Sequence, residues 1–154
     1  MKDKRFEGRV AVVTGAGKGI GEQTALDLSA EGATVALLDT DQPGMDEVKN
    51  KIAARGGNAE AIFCDVSDRS QIDSHIETVK EKYGRIDILI NNAGIAPNRL
   101  VMDQSLSEWE QVLRTNLTGT FLCSKAAVPM MEQVGGGAIV NIASISGQRG
   151  ATGR

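Results

Sequence analysis

Short, predominantly apolar runs recur along the chain, and they limit the possible folds more than any other feature. These runs are residues 10–13, 35–38, 61–64, 86–90 and 138–142. Runs without polar alternation are typical of strands buried on both faces. A helical period lies between the third and fourth runs, where Ile72, Ile76 and Val79 follow Ser67 or Asp68 as a candidate N-cap. The alternation predicts an α/β fold in which right-handed crossovers join parallel strands and helices cover both faces of the sheet.

Composition and charge narrow the class of protein. The 154 residues carry 20 acidic and 17 basic side chains, for a net charge of −3, and their only basic cluster is Lys2, Lys4 and Arg5. We therefore expect neither a nucleic acid nor a membrane partner. No apolar run approaches the roughly 20 residues of a membrane span, and no signal-peptide pattern follows Met1. We expect one cytoplasmic domain over residues 1–154.

Cysteine and histidine usage indicates no metal. Cys64 and Cys123 lie far apart without a C-x-x-C pair, and His75 is the only histidine. This pattern fits neither a zinc site nor a disulfide framework, so we predict two reduced, buried thiols. His75 borders the apolar stripe of its helix, where a structural role is expected.

A long helical region is predicted from near Ser107 to Gln133. Ser107 and Glu110 match the S-x-x-E capping box, and Pro129 predicts a kink or break. The stripe predicted to face the core contains residues 109, 112, 113, 116, 117, 120 and 121, and Asn116 is the polar amide on it. A buried amide needs hydrogen-bonding partners, so Asn116 is predicted to be either structural or part of a ligand-organising network.

Polar or glycine-rich residues follow every predicted strand, which places them together at the carboxyl edge of the sheet, where open parallel sheets bind ligands. After the first strand comes a glycine-rich loop over residues 14–21, directly before a helix. Its pattern is G-x-x-x-G-x-G, since Ile20 occupies the last glycine position of G-x-G-x-x-G, and Gly19 after Lys18 excludes a P-loop. The loop predicts a pyrophosphate site at a helix N-terminus. A plain turn is the alternative.

Asp39 ends the second predicted strand, where an acidic side chain can accept hydrogen bonds from an adenosine ribose. Its charge would repel a 2′-phosphate, which favours NAD over NADP, although Lys18 could offer a phosphate some compensation. The alternative is an ordinary loop aspartate beside Thr40 and Asp41.

Together, ordered motifs make the chain similar to the short-chain dehydrogenase/reductase family. They are residues 14–21, Asp65-Val66, residues 91–94, Asn116 within residues 115–119, and Ser144. The resemblance spans essentially the whole chain but corresponds to the first three-fifths or so of a usual member. It implies a Rossmann-type doubly wound sheet of order 3-2-1-4-5, an incomplete domain whose C-terminal strands and helices are missing.

The resemblance also implies residue roles. Gly15, Gly19, Ile20 and Gly21 would cradle the pyrophosphate, with Gly17 and Lys18 completing the loop. Asp39 would hold the adenosine ribose, and Asp65 and Val66 would flank the adenine. Residues 91–94 would support the central strand and line the cofactor, which places Asn92, Ala93 and Gly94 in the cofactor site. Ser144 would hydrogen-bond the substrate oxygen, and Asn116 would hold a water in a proton relay.

The implied reaction is hydride transfer between NAD, or less readily NADP, and a secondary alcohol or ketone. The family's acid/base is a Tyr about a dozen residues past this Ser, followed by a Lys, whereas the sole tyrosine here, Tyr83, is expected at the other end of the sheet. We expect impaired catalysis from this chain as given. A dinucleotide-binding module without turnover and a fragment that pairs with a relative are the alternatives, and 3-oxoacyl thioesters are among the possible substrates. A homo-oligomer is expected for the full-length form.

Overall fold

The computed structural model describes residues 4–149, and it alternates strands and helices as the sequence predicts. Five strands and five α-helices follow one another within this range, with a π-helical turn, Arg114–Gly119, joining the last two helices. The strands are β1 (Val10–Thr14), β2 (Thr34–Asp39), β3 (Asn58–Phe63), β4 (Ile88–Asn91) and β5 (Ala138–Asn141). The helices are α1 (Gly19–Ala30), α2 (Gln42–Ala54), α3 (Arg69–Tyr83), α4 (Leu106–Leu113) and α5 (Thr120–Gln133).

The described strands form one parallel sheet in the order β3-β2-β1-β4-β5, which confirms the predicted topology. β1 lies at the centre, with Val12 opposite Ala36 on one side and Leu89 on the other. The strand order reverses between β1 and β4, because the chain first builds outward through β2 and β3 and then returns. The carboxyl ends of β1 and β4 consequently border a crevice, the usual place for a ligand in such a sheet.

Alternate residues of the central strands pack against different helices. Val10 and Val12 belong to a core with α3 and α5, whereas Ala11 and Val13 belong to a core with α1 and α2. The sheet is therefore covered on both faces, as a run of apolar residues without alternation predicts. Cys64 and Cys123 are buried free thiols, as expected, and burial, more than any other cause, raises their pKa to about 11 and about 12.

β5 differs from the prediction that every apolar run is buried on both faces. It lies at the edge of the described sheet, and Val140 and Ile142 are both exposed. An apolar sequence specifies only that burial is favourable, and whether a partner covers a given strand depends on elements distant in sequence.

Two details of the long helical region were predicted wrongly. The capping box is built by Ser105 and Glu108, so the observed cap lies two residues before the predicted cap at Ser107. The break predicted at Pro129 does not occur, because α5 continues through this residue. Proline removes a hydrogen bond to the carbonyl four residues earlier. Here that residue, Lys125, lies on the exposed side of α5.

The predicted core-facing stripe of this region is also wrong. Trp109, Leu117 and Phe121 are more than half exposed, and Asn116 is exposed with them. The sheet is instead contacted by small and flexible side chains of the opposite side, Cys123, Ala127, Met130 and Met131. In residues 4–149, no helix is both long and apolar enough to cross a membrane.

Candidate functional site

The glycine-rich loop leaves β1 through a turn that only glycine accommodates. Gly15 has φ of 64°, and a Cβ built there would lie 2.9 Å from both Ala93 Cα and Asn92 Nδ2. The loop and the end of β4 are therefore in close backbone contact. A side chain at Gly15 would push them apart.

Hydrogen bonds fix the two strand ends to each other. The buried Thr14 hydroxyl accepts from the backbone N–H groups of Asn92 and Ala93, each at 3.0 Å. The Asn92 amide nitrogen donates back to the carbonyls of Thr14 and Gly15, at 3.0 and 2.9 Å. Thr14 was not among the predicted site residues, although it begins the glycine motif. Its hydroxyl and Asn92 position the loop against the crevice.

Helix α1 begins inside the same loop. Lys18 is its extended N-cap residue, no side chain caps it, and Gly19 follows with φ of 60° and open space around its Cβ position. Gly21 faces inward, where a Cβ would collide with the Gly15 carbonyl. The first N–H groups of a helix have no partner within the helix, and its dipole makes this end positive. The start of α1 thus offers amides to an anion.

Asp39 lies across from this loop at the end of β2. Its Oδ2 accepts from the Gly17 N–H at 2.8 Å, and its Oδ1 accepts from the Asp41 N–H at 3.0 Å. Gly17 is therefore held by the carboxylate, while the predicted residues Gly15, Lys18 and Ile20 face the crevice.

The crevice is a cleft of about 490 Å³ at the carboxyl edge of the sheet. Predicted residues that line it are Gly15, Lys18, Ile20, Asp39, Asp65, Val66, Asn92, Ala93 and Gly94. Thr40, Cys64, Ser67, Ile95, Gln111 and Thr115 line it as well and were not predicted. Most of these lie within a few residues of a predicted position. Gln111 alone had no sequence signal, because it reaches the cleft from α4.

The wall after β3 is organised by Asp65. Its carboxylate accepts from the Ser67 N–H at 2.8 Å, and its own N–H donates to Gln71 Oε1 at 2.9 Å. Val66 is buried beside it, and its carbonyl would lie 2.8 Å from a Cβ at Gly119. The close approach of the π-helical turn to Val66 closes this side of the cleft.

Asn116 ties the π-helical turn to the segment after β4. Its Oδ1 accepts from the Ile95 N–H at 2.9 Å, and its Nδ2 donates to the Ile95 carbonyl at 2.8 Å. The predicted need for partners is met by these two bonds, on an exposed surface and not in the core. Gly94 packs beside the amide, since its Cβ position lies 3.5 Å from Asn116 Oδ1.

Ser144 follows β5 at the same edge, where the Ile142 N–H donates to the Asn91 carbonyl at 2.9 Å. The Ser144 hydroxyl accepts a hydrogen bond from the Ser146 N–H at 3.1 Å. Within the described residues, neither Ser144 nor Asn116 lines the cleft, and no hydrogen bond joins them. The Asn91 amide links β4 to its neighbours α5 and β5 by donating to Ser124 Oγ and Asn141 Oδ1.

Tyr83 ends α3 and packs against the core beside Lys82. Burial is the main reason that its pKa is raised above the usual value. Its neighbour Lys82 pairs with Glu60, near the amino end of β3, at 3.0 Å. Tyr83 is thus at the edge of the sheet away from the cleft.

A dinucleotide suits the arrangement in size and in chemistry. The cleft runs from the start of α1, past the Asp39 carboxylate at the end of β2, to a wall formed after β3. Its volume lies within the usual range of cofactor sites. Fold and cleft together define a doubly wound, Rossmann-type domain with a candidate dinucleotide site at the switch in strand order.

Comparison with known proteins gives the family. Residues 9–154 match the short chain dehydrogenase family, and the chain belongs to that family. It is 41% identical over 147 residues to a 3-oxoacyl-[acyl-carrier-protein] reductase of Synechocystis sp., an alignment covering 95% of this chain and 60% of the relative.

Solved structures show the same fold. The crystal structure of an NAD⁺-bound xylitol dehydrogenase superposes with a TM-score of 0.91 at 36% identity, over 96% of this chain and 58% of that one. A metagenomic short-chain oxidoreductase in complex with NADP also gives 0.91, at 35% identity, over 95% of this chain and 66% of that one. The chain thus spans about three-fifths of the length of the curated relative it matches.

Proposed function

We propose that residues 14–94 form the coenzyme site of a nicotinamide-dependent oxidoreductase that interconverts a secondary alcohol and a ketone. The observation that carries this proposal is the conformation of the glycine loop. Hydrogen bonds between Thr14 and Asn92 fix the loop to the end of β4, and the loop leads into the uncapped start of α1. When bound, the coenzyme supplies or accepts a hydride. These residues bind the pyrophosphate at Gly15, Lys18 and the amides of Gly19, Ile20 and Gly21, with Gly17 shaping the loop.

The remaining binding roles follow the walls of the cleft. Asp39 accepts from the adenosine ribose, Asp65 and Val66 flank the adenine, and Asn92, Ala93 and Gly94 face the nicotinamide half. The NAD⁺-bound and NADP-bound structures of relatives show that the family uses either coenzyme. We infer that this chain prefers NAD, since a 2′-phosphate beside Asp39 would meet like charge.

Ser144 and Asn116 are the residues we assign to catalysis. Ser144 would donate a hydrogen bond to the substrate oxygen, and Asn116, already bonded to Ile95, would orient a water. Proton transfer needs an acid beside that oxygen, and Tyr83 lies at the wrong edge for the task. Coenzyme binding without turnover is therefore what we expect from these 154 residues alone.

The substrate is proposed as a small alcohol or ketone. The likeness to a 3-oxoacyl-[acyl-carrier-protein] reductase favours a 3-oxoacyl thioester as the second candidate.

We also propose a cytoplasmic location. For the whole protein we propose a homo-oligomer, because apolar side chains of α4 and α5 are exposed.

Thermal unfolding with and without coenzyme tests the proposal. NAD⁺ at a hundredfold excess over its dissociation constant should stabilise the chain by about 2.7 kcal/mol, and NADP⁺ at equal concentration should raise Tm less. Ile20→Glu adds a negative charge beside the first amides of α1 and should abolish the shift, while Val101→Glu, an exposed position outside the cleft, should retain it. Equal melting with and without either coenzyme would refute coenzyme binding.

A further inference from the structure

The carboxylate of Asp39 has hydrogen-bond partners within the protein itself. Oδ2 accepts from the Gly17 N–H at 2.8 Å and Oδ1 from the Asp41 N–H at 3.0 Å. Gly17 belongs to the glycine loop after β1, and Asp41 to the connection from β2 to α2. One half-buried side chain therefore joins the pyrophosphate loop to the start of α2.

The contact is tight on both sides of Gly17. A Cβ at Gly17 would lie 3.1 Å from Asp39 Oδ2 and 3.3 Å from Asp41 Cβ. A Cβ at Gly44, in the first turn of α2, would lie 2.6 Å from the Gly17 carbonyl. Asp41 in turn caps α2 by accepting from the Gly44 N–H at 3.1 Å. The loop is thus packed directly onto α2, with the Asp39 carboxylate as the polar link.

We propose that Asp39 is a positioning residue that holds the glycine loop in its binding conformation through the Gly17 N–H. This inference rests on the proposed function and deepens it. A carboxylate oxygen has two acceptor sites, so Asp39 can keep Gly17 and Asp41 and still accept from ribose hydroxyls. The Asp39 carboxylate then both selects the sugar and shapes the pyrophosphate loop.

Neutralising Asp39 therefore does more than remove a repulsive charge. In Asp39→Ala, the side chain accepts no hydrogen bond, so the N–H groups of Gly17 and Asp41 both lose their acceptor. The Gly17 segment is released, and the affinity for both NAD⁺ and NADP⁺ falls. If Asp39 only selected the sugar, its replacement would instead lower the affinity for NAD⁺ and raise the affinity for NADP⁺.

Hydrogen exchange in the coenzyme-free protein tests the positioning role directly. The quantity measured is the protection of the Gly17 amide relative to that of Val12 in the central strand. Asp39→Ala should lower this ratio by about tenfold or more, because a hydrogen bond to a charged group is worth at least a factor of about ten. The matched control Asp46→Ala removes the same charge from an exposed position of α2 and should leave the ratio unchanged. A ratio in Asp39→Ala that stays equal or rises would overturn the proposal, whether or not the variant is less stable overall.

Titration with inorganic pyrophosphate separates positioning from sugar recognition, since this probe has no ribose. Removing a negative charge near the loop would by itself tighten pyrophosphate binding, so weaker binding by Asp39→Ala, with binding by Asp46→Ala unchanged, supports loss of the loop conformation. Equal or tighter binding contradicts it. If the unaltered chain binds neither coenzyme, the proposed function fails, and the exchange ratio separately decides whether Asp39 holds Gly17.

Discussion

At the scale of single residues, the site depends on positions where a side chain would obstruct the backbone. Gly15 and Gly21 both lie against Asn92, which uses its amide to hold the carbonyls of Thr14 and Gly15. The sequence motif predicts that glycines are needed in this loop. It does not distinguish Gly21, which packs inward, from Gly19, whose Cβ position is open.

Gly21→Ala is predicted to destabilise the fold, because the new methyl group would collide with the Gly15 carbonyl and approach Asn92 Nδ2 to 2.6 Å. Both neighbours are fixed, so we expect a loss of about 1–3 kcal/mol in the free energy of unfolding, measured by urea denaturation. Gly147→Ala, where the added methyl group meets nothing within 4 Å, should change it little. If Gly21→Ala and Gly147→Ala have equal free energies of unfolding, the loop moves to accommodate the methyl group and the predicted collision is wrong.

The buried carboxylate of Asp87 should make the free energy of unfolding depend on pH. Its carboxylate is 4% exposed, and burial alone would raise its pKa, but Arg85, the Val10 N–H and Arg9 together lower the pKa to about 2. Because the folded pKa lies below the unfolded one, the stabilisation is complete above pH 4 or so and is lost as the pH falls towards 2. It amounts to about 2 kcal/mol.

The measurement for Asp87 compares the unfolding free energies of the unaltered chain and Asp87→Asn between neutral pH and pH 3. The variant should be less stable at neutral pH, and the difference should narrow as the pH falls. Glu77→Gln, which removes an exposed partner of Lys80 on α3, is the control. A difference that stays constant with pH would mean that the Asp87 charge contributes nothing to stability.

At the scale of elements, the order and type of strands and helices were predictable because apolar runs and helical spacing are local properties. The errors about helix caps and core-facing sides lie in α4 and α5. Both Ser105 and Ser107 have a glutamate three residues later, and the choice of Ser105 is reinforced by Arg99, which pairs with Glu108 at 2.6 Å. That contact is not visible in a local pattern.

The wrong choice of core-facing side in this region has a similar cause. Helical spacing identifies two apolar sides, one with Trp109 and Phe121 and the other with Cys123 and Met130. Which side meets the sheet depends on tertiary packing. The same reason explains why Asn116 was predicted on the inner side, while its two bonds to Ile95 lie at the surface.

Asn116→Ala is predicted to loosen the segment after β4, since it removes both hydrogen bonds to Ile95. Loss of the single bond that the Ile95 N–H donates should speed exchange of this amide about fivefold, observable by NMR, with little change in global stability. Thr118→Ala, at an exposed position of the same π-helical turn, serves as the control. If the exchange rate of the Ile95 amide is unchanged, Asn116 does not hold the segment after β4 in place.

At the scale of the whole molecule, one exposed apolar surface stands out. It is formed on α4, the π-helical turn and α5 by Leu106, Trp109, Leu113, Leu117, Phe121 and Val128. Contiguous apolar patches of this kind mark interaction sites.

We predict that the 154-residue chain self-associates through this surface. Replacing Leu117, 65% exposed, and Phe121, 60% exposed, with glutamate should lower the apparent mass measured by light scattering at high concentration. Phe63→Glu, an exposed aromatic position at the end of β3, should not. Unaltered association in the double variant would exclude this surface as the contact.

An NMR titration of the isotope-labelled chain with NAD⁺ shows whether the start of α1 binds the coenzyme pyrophosphate. We expect saturable shifts of the amides of Gly19, Ile20 and Gly21, together with those of Asp65 and Val66 across the cleft. Binding at the start of α1 is refuted if those amides stay unchanged at saturating NAD⁺, or if the shifts fall instead on the opposite edge of the sheet, around Arg9 and residues 134–138.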